Sequence, residues 1–437
     1  MKIKEIYLEL GLFTLCVINL FIPVIPQIIL YPLVIGTAIY KLPKETLAFC
    51  CLLFLKDVNH AMFFLNFHIS GIAPLTVLLG LFLMKDFLIG QLSPMLKCGK
   101  HLWMVIVFML VSMIVMGNQV VNFEKFTSFA TNGLIVYLAY SFILYKRERV
   151  DFYKLALFCA IFAVFLLQLN VVANHYGTPS SLLDFGFYRQ QVGTDMYVDL
   201  ADMGVLYATH YQFFGTMCTY GFALCLALNK LDIKQVVILL LFDMIAIGYT
   251  GARQYLLIMV VVYAIYIVTM KGNLFMKTLI IGTGFVAVSY IMYESVMSDY
   301  IGVVSENGML AGSGREDLFD VGMDMFHRNP ILGVGFGGYN YFGAYGAYPH
   351  NMIVELLAEV GIVGIIVLVL IEGSNKAGLS LLYNSQYDVK MAYVFIALFL
   401  RSMISLSLTG NVVIFSVLSA CCYFKYVLDS EYDYSTK

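Results

Sequence analysis

The stretch Asn351-Met-Ile-Val-Glu-Leu-Leu-Ala-Glu-Val-Gly-Ile-Val-Gly-Ile-Ile-Val-Leu-Val-Leu-Ile371 decides what kind of protein this is. Apart from Glu355 and Glu359 it carries no charge. It is long enough to cross a hydrocarbon layer as a helix, which takes roughly 17–25 residues. Asn351, Glu355 and Glu359 stand four apart and share one face of that helix. Carboxylates that enter a bilayer on one stripe must face protein, water or a partner cation. Gly361 and Gly364 leave room for close helix packing. Pro349 opens the helix, with His350 and Asn351 in its first turn.

Similar apolar runs recur along the chain, near 5–22, 25–40, 45–58, 67–84, 102–117, 127–145, 153–173, 212–229, 235–250, 254–270, 278–294, 391–407 and 412–427. Apolar residues make up 61% of the 437 and charged ones 12%, against averages of about 45–50% and about 25%. No soluble interior holds that much apolar surface. The net charge of −2 offers no basic stripe for nucleic acid. The fold class expected is all-α, a polytopic integral membrane protein with about 12–14 transmembrane helices. Lys56–Asp57 and Arg401 are the deep charges this reading finds.

Lys and Arg orient the spans. With the N-terminus inside, nineteen of the 26 fall on inner segments, among them Lys41, Lys44, Lys97, Lys100, Lys146, Arg147 and Lys376. Six fall outside: Lys56, Lys125, Arg189, Arg253, Arg315 and Arg328. The first run ends in Pro23-Val-Ile-Pro26 with no small-residue cleavage site and reads as an anchor. The chain then divides into N-terminal transmembrane helices (1–173), a first long outer loop (174–211), central helices (212–294), a second long outer loop (295–350) and C-terminal helices (351–437). None of the nine cysteines falls in either long loop; they read as membrane-embedded thiols. Cys and His show no metal-ligand spacing.

Chemistry-bearing residues collect in the second outer loop. Gly312-Ser-Gly-Arg-Glu-Asp-Leu-Phe-Asp-Val-Gly-Met-Asp-Met-Phe-His-Arg-Asn-Pro330 opens with a capping box, Ser313 and Glu316, and stops at Asn329-Pro330. It predicts a short amphipathic helix with Leu318, Phe319, Gly322, Met325 and Phe326 on one side and Asp317, Asp320 and Asp324 on the other. Arg315 in its first turn opposes the helix dipole unless an anion docks there; the plainer reading pairs it with Glu316. The following Gly333, Gly335, Gly337 and Gly338 lack the strand a dinucleotide loop needs. The segment reads instead as a flexible loop carrying Tyr339, Tyr341, Phe342, Tyr345 and Tyr348, rings suited to sugar faces or to the lipid interface. His350 stands at the water boundary beside the acidic stripe. Arg253 sits in the tight turn Gly248-Tyr-Thr-Gly-Ala-Arg-Gln254, where it snorkels or meets an anion. Arg189, His175 and His210 belong to the first long loop.

Pro349-His-Asn-x3-Glu-x3-Glu-x-Gly-x2-Gly364, Asn329-Pro-Ile-Leu-Gly-Val-Gly-Phe-Gly337, Gly312-Ser-Gly-Arg315 and the Thr250-Gly-Ala-Arg253 turn, in this order, resemble the O-antigen ligase/polymerase superfamily of bacterial envelope glycosyltransferases. The resemblance covers about 245–370 and departs at Ala252, where the family usually has Ser. It implies a GT-C-like, metal-independent glycosyltransferase without a cofactor, in the bacterial inner membrane with its site on the outer face. The donor it implies is a glycan on undecaprenyl pyrophosphate, and the acceptor another lipid-linked repeat unit or the lipid A core. A flippase and a chain-length regulator are the implied partners. The family's two arginines and one histidine fall on Arg253, Arg315 and His350. Arg328, Arg189, Asn351, Glu355, Tyr339 and Tyr348 are the expected substrate-binding residues. Guanidinium forks match phosphate oxygens. His350 serves either as base for the acceptor hydroxyl, with Glu355 orienting it, or as a pyrophosphate ligand. Polymerase, ligase and, from another class, a flippase or transporter remain as readings.

Overall fold

The computed structural model describes residues 6–56, 73–116, 119–169, 178–179, 181, 211–229, 231–269, scattered positions from 278 to 290, 315–342, 348–378, 391–404 and 407–435. Among these residues the regular elements are helices. In chain order they are α1 (Tyr7–Phe21), α2 (Gln27–Lys41), α3 (Lys44–Leu53), α4 (Pro74–Leu83), α5 (Lys85–Cys98), α6 (Lys100–Met116), α7 (Gln119–Tyr145), α8 (Phe152–Leu169) and α9 (Tyr211–Leu228). They continue with α10 (Ile233–Thr250), α11 (Arg253–Thr269), α12 (Arg315–Arg328), α13 (Gly338–Phe342), α14 (Met352–Gly373), α15 (Met391–Ile404), α16 (Leu408–Asn411) and α17 (Val413–Ser435).

The apolar runs that fall on described residues recur as helices, several of them shorter than the runs; the run expected at 278–294 lies mostly outside the described residues. Asn122–Tyr145, Ile233–Thr250, Met352–Gly373 and Leu408–Leu428 are long and apolar enough to cross a bilayer; α4 and α5, bent by 88°, add a fifth if counted as one broken span. Other apolar helices have 10–17 residues. Prolines cut the runs, because the residue before a proline avoids helical dihedrals: Pro23 and Pro26 separate α1 from α2, and Pro43 separates α2 from α3. Val107, Val111, Ile114 and Val115 on α6 and Ile366, Val369 and Leu370 on α14 lie on the outside of the protein, as a lipid-facing surface requires. The molecule is an all-α polytopic membrane protein.

The chain forms two compact units. One holds α1, α2, most of α3, and α8 to α11. Its centre is α8, buried on every side from Leu155 to Leu167, as an all-apolar helix must be. α1, α2, α9 and α10 pack around it. Gly221 on α9 lets the backbones approach: a Cβ there would come 2.9 Å from the Cys159 sulfur. Glu9, 3.9 Å from Lys41, and Asp243 are buried in this unit. These deep acids sit inside unbroken apolar runs, so run-breaking charge did not reveal them.

The other unit holds α4 to α7 and α12 to α17. α7 and α17 pack along one another, with the Ser416 hydroxyl donating to the Gly133 carbonyl at 2.9 Å. α5 forms where the sequence reading placed an inner loop; Phe87 packs on Phe142 and Gln91 accepts from the Tyr423 hydroxyl.

α14 is broken. Gly361 has φ 64°, ψ −170° in mid-helix, so Ile362 and Val363 lose their bonds to Ala358 and Glu359 four residues back. The segment after α12 fills the gap. Ile362 and Val363 donate to the Pro330 and Ile331 carbonyls at 3.0 and 3.1 Å, and the Ala358 and Glu359 carbonyls accept from Val334 and Gly335 at 2.9 and 2.8 Å. Each missing rung is thus replaced on both sides, which a span needs where water cannot serve. Only glycine fits the two crossing points. A Cβ on Gly361 would lie 2.5 Å from the Ile331 oxygen, and one on Gly333 (φ 68°) 2.4 Å from the Glu359 carbonyl. The expected flexible glycine loop is therefore a built-in part of a transmembrane helix. Gly361, expected to favour helix packing, instead breaks the helix to admit it.

Candidate functional site

The site begins at the start of α14. Asn351 is its N-cap: the side-chain oxygen accepts from Ile353 and Val354 at 3.0 and 3.2 Å, and the amide nitrogen donates to the Met403 carbonyl at 3.3 Å. The side chain expected to bind substrate thus also caps the helix and ties it to α15. His350 precedes the cap instead of opening the helix, with φ 54°, the one non-glycine left-handed residue among those described. Such a conformation costs about 1–3 kcal/mol and persists where the surroundings impose it. Pro349 is buried before it, beside Gly322 of α12. The Tyr348 ring lies 4.4 Å from the imidazole. Both rings are half-buried, so the pair forms one partly exposed surface at the positive end of α14.

α12 brings the second expected residue. Arg315 is its first residue, and the helix packs against α14 through Gly322, Met325 and Val321. Asp317, Asp320 and Asp324 point outward, as the periodicity predicts; Phe319 joins them, and Val321 takes its place on the packed face. Ser313, the proposed cap, lies outside the described residues. Arg328 is exposed in the last turn, where a cation suits the helix dipole. Tyr339 is fully buried; its hydroxyl donates to the Leu318 carbonyl at 2.6 Å. No face of this ring is left for a sugar, so it is a packing residue that ties α13 to α12. Tyr345 lies outside the described residues, as do the side chains of Tyr341 and Phe342.

Glu355 does not orient His350. It is fully buried and engaged by Lys125, whose ammonium lies 2.6 Å from Glu355 Oε1 and 2.7 Å from Glu359 Oε1. Lys125 was expected in an outer turn. α7 starts earlier than the apolar run, and carries the lysine inside with a side chain only 9% exposed. The acidic stripe on α14 called for protein, water or a cation; nothing local pointed to a lysine 230 residues earlier.

Arg253 belongs to the other unit. Thr250 donates its hydroxyl to the Ile247 carbonyl and accepts from the Ala252 amide, Gly251 takes φ 70°, and Arg253 opens α11. The tight turn is as expected. Arg253 and Arg315 each open a helix, α11 and α12. Arg189, His175 and His210 lie outside the described residues. Among the described residues no group of His, Cys, Asp and Glu is arranged to hold a metal ion.

Helices and a broken span define an all-α membrane protein. Residues 236–369, under a third of the chain, match the family described as O-antigen ligase, so this stretch is similar to that family. The matched stretch contains Arg253, Arg315, Arg328, Tyr339, Tyr348, His350, Asn351 and Glu355, but not Arg189. Curated proteins give no match to the chain.

Proposed function

We propose that this protein is a glycosyltransferase of the bacterial inner membrane that polymerises undecaprenyl-pyrophosphate-linked repeat units of a surface polysaccharide. Its site faces outward. The acceptor hydroxyl of one unit attacks the anomeric carbon of another. The new glycosidic C–O bond forms as the bond to pyrophosphate breaks, and the electron pair leaves on undecaprenyl pyrophosphate. His350 takes the hydroxyl proton, and Arg253 and Arg315 hold the departing diphosphate, whose charge grows in the transition state. Two guanidinium forks meet the charge need, so the scheme uses no metal or cofactor.

The observation that carries this reading is His350, held left-handed at a capped helix start inside the stretch that matches the ligase family. Strain at a partly exposed imidazole is what a reactive or ligand-holding residue shows. The break in α14 is filled by protein backbone, whereas a transporter's broken helix offers its free ends to an ion; this weighs against the transport reading.

Purified protein in vesicles, supplied with lipid-linked oligosaccharide, tests the proposal. A ladder of lipid-linked polymer is expected. Transfer to lipid A core alone makes it a ligase, and translocation without new glycosidic bonds overturns the enzymatic reading.

A further inference from the structure

We infer that Lys125 is a positioning residue for the outer-face site, fixing where His350 and the Arg315 helix stand; this rests on the transferase reading. An ammonium has three donors, and Lys125 uses them on Glu355 Oε1 at 2.6 Å, Glu359 Oε1 at 2.7 Å and Asn340 Oδ1 at 3.1 Å. The Phe336 ring lies 5.3 Å from the same nitrogen. One side chain of α7 thus gathers the end of the glycine segment, α13 and the first half of α14.

The acceptors carry the tie onward. Glu355 Oε2 takes the Leu408 amide at 2.7 Å, which anchors the start of α16. Glu359 Oε1 also takes the Tyr339 amide at 3.3 Å. From Tyr339 the path runs through its hydroxyl to Leu318, one turn into the helix that Arg315 opens. From Glu355 it runs back one turn to the Asn351 cap and His350. Both of this unit's expected reactive residues hang on the frame that Lys125 closes. Removing the ammonium leaves two buried carboxylates without a cation and cuts the three-way tie among Glu355, Glu359 and Asn340 whether or not they take up a proton. Displacements of about 1 Å at a reacting group suffice to cost about 10²-fold in rate.

The experiment pairs kinetics with amide hydrogen exchange on the full chain in vesicles. Lys125→Met is expected to lower kcat at least about tenfold while KM for the lipid-linked oligosaccharide moves less than about threefold. The amides of Val334, Gly335, Ile362 and Val363 should exchange at least about tenfold faster. Lys125→Arg, which also bridges two carboxylates, should recover most of both. Wild-type kcat per folded molecule in Lys125→Met, or unchanged protection of those four amides, overturns the inference. If that variant does not insert, Lys125→Met with Glu355→Gln and Glu359→Gln removes the uncompensated charge; loss of kcat in it supports the positioning role and wild-type kcat overturns it. If the wild-type protein forms no glycosidic bond, the transferase reading fails by itself. The exchange then decides the frame: faster exchange in the methionine variant keeps it, and wild-type exchange rejects it.

Discussion

His350 is where backbone and side chain make separate claims. Its φ of 54° is one that glycine adopts freely, so His350→Gly removes the imidazole and relieves the backbone at once. Its stability should stay within about 1 kcal/mol of wild type, because relief offsets the entropy glycine loses on folding. Transfer should vanish in both His350→Gly and His350→Ala, measured as polymer from lipid-linked oligosaccharide by membranes with equal amounts of inserted protein. Near-wild-type polymer from the glycine variant would reduce His350 to a turn residue. Arg315→Lys keeps the charge but loses the planar fork, and kcat should drop by at least about tenfold. Full activity in the lysine variant would make Arg315 a solvated charge.

At the scale of elements, the unusual object is α14 with its inserted segment. The sequence holds both halves of the device, Gly361 in an apolar run and Gly333 in a glycine-rich stretch, and shows nothing that joins them. A lone glycine in a spanning helix reads as a packing notch; its positive φ is visible only in space. Gly361→Ala forces a Cβ to within 2.5 Å of the Ile331 oxygen and a left-handed φ on alanine. It should cost about 2 kcal/mol or more, read as a lower melting temperature in detergent, with transfer lost too. An unchanged melting temperature would mean that the helix closes its own gap and expels the segment. Tyr339 shows the same limit of reading along the chain. Among neighbouring aromatics it looks like a loop ring for sugars, and the packing of α12 on α14 buries it.

For the whole molecule, the Lys/Arg bias predicts which ends of the spans meet the cytoplasm. Single cysteines at Arg149 and at Lys376, both near inner segments, should resist a membrane-impermeant thiol reagent in intact spheroplasts, and one at Arg328 should react. The reverse pattern would put the candidate site on the wrong face for a lipid-linked donor. The native thiols are buried or half-buried, so a background with Cys98 and Cys422 replaced by Ser gives a clean readout.

Composition and periodicity alone determined that the chain is helical and embedded in a bilayer, because 61% apolar residues in spanning runs have no other place to go. They also placed the helix starts that carry Arg253 and Arg315, since caps, turns and breakers act over a few residues. That Glu355 and Glu359 must face protein, water or a cation was legible too, as two carboxylates on one face of an apolar helix require one of these. Which group faces the two carboxylates, which segment fills the break at Gly361, and what Asn351, Glu355 and Tyr339 bond to inside the protein were decided by tertiary structure. Those pairings join residues far apart in sequence, and no local energy distinguishes one distant partner from another until the helices have packed.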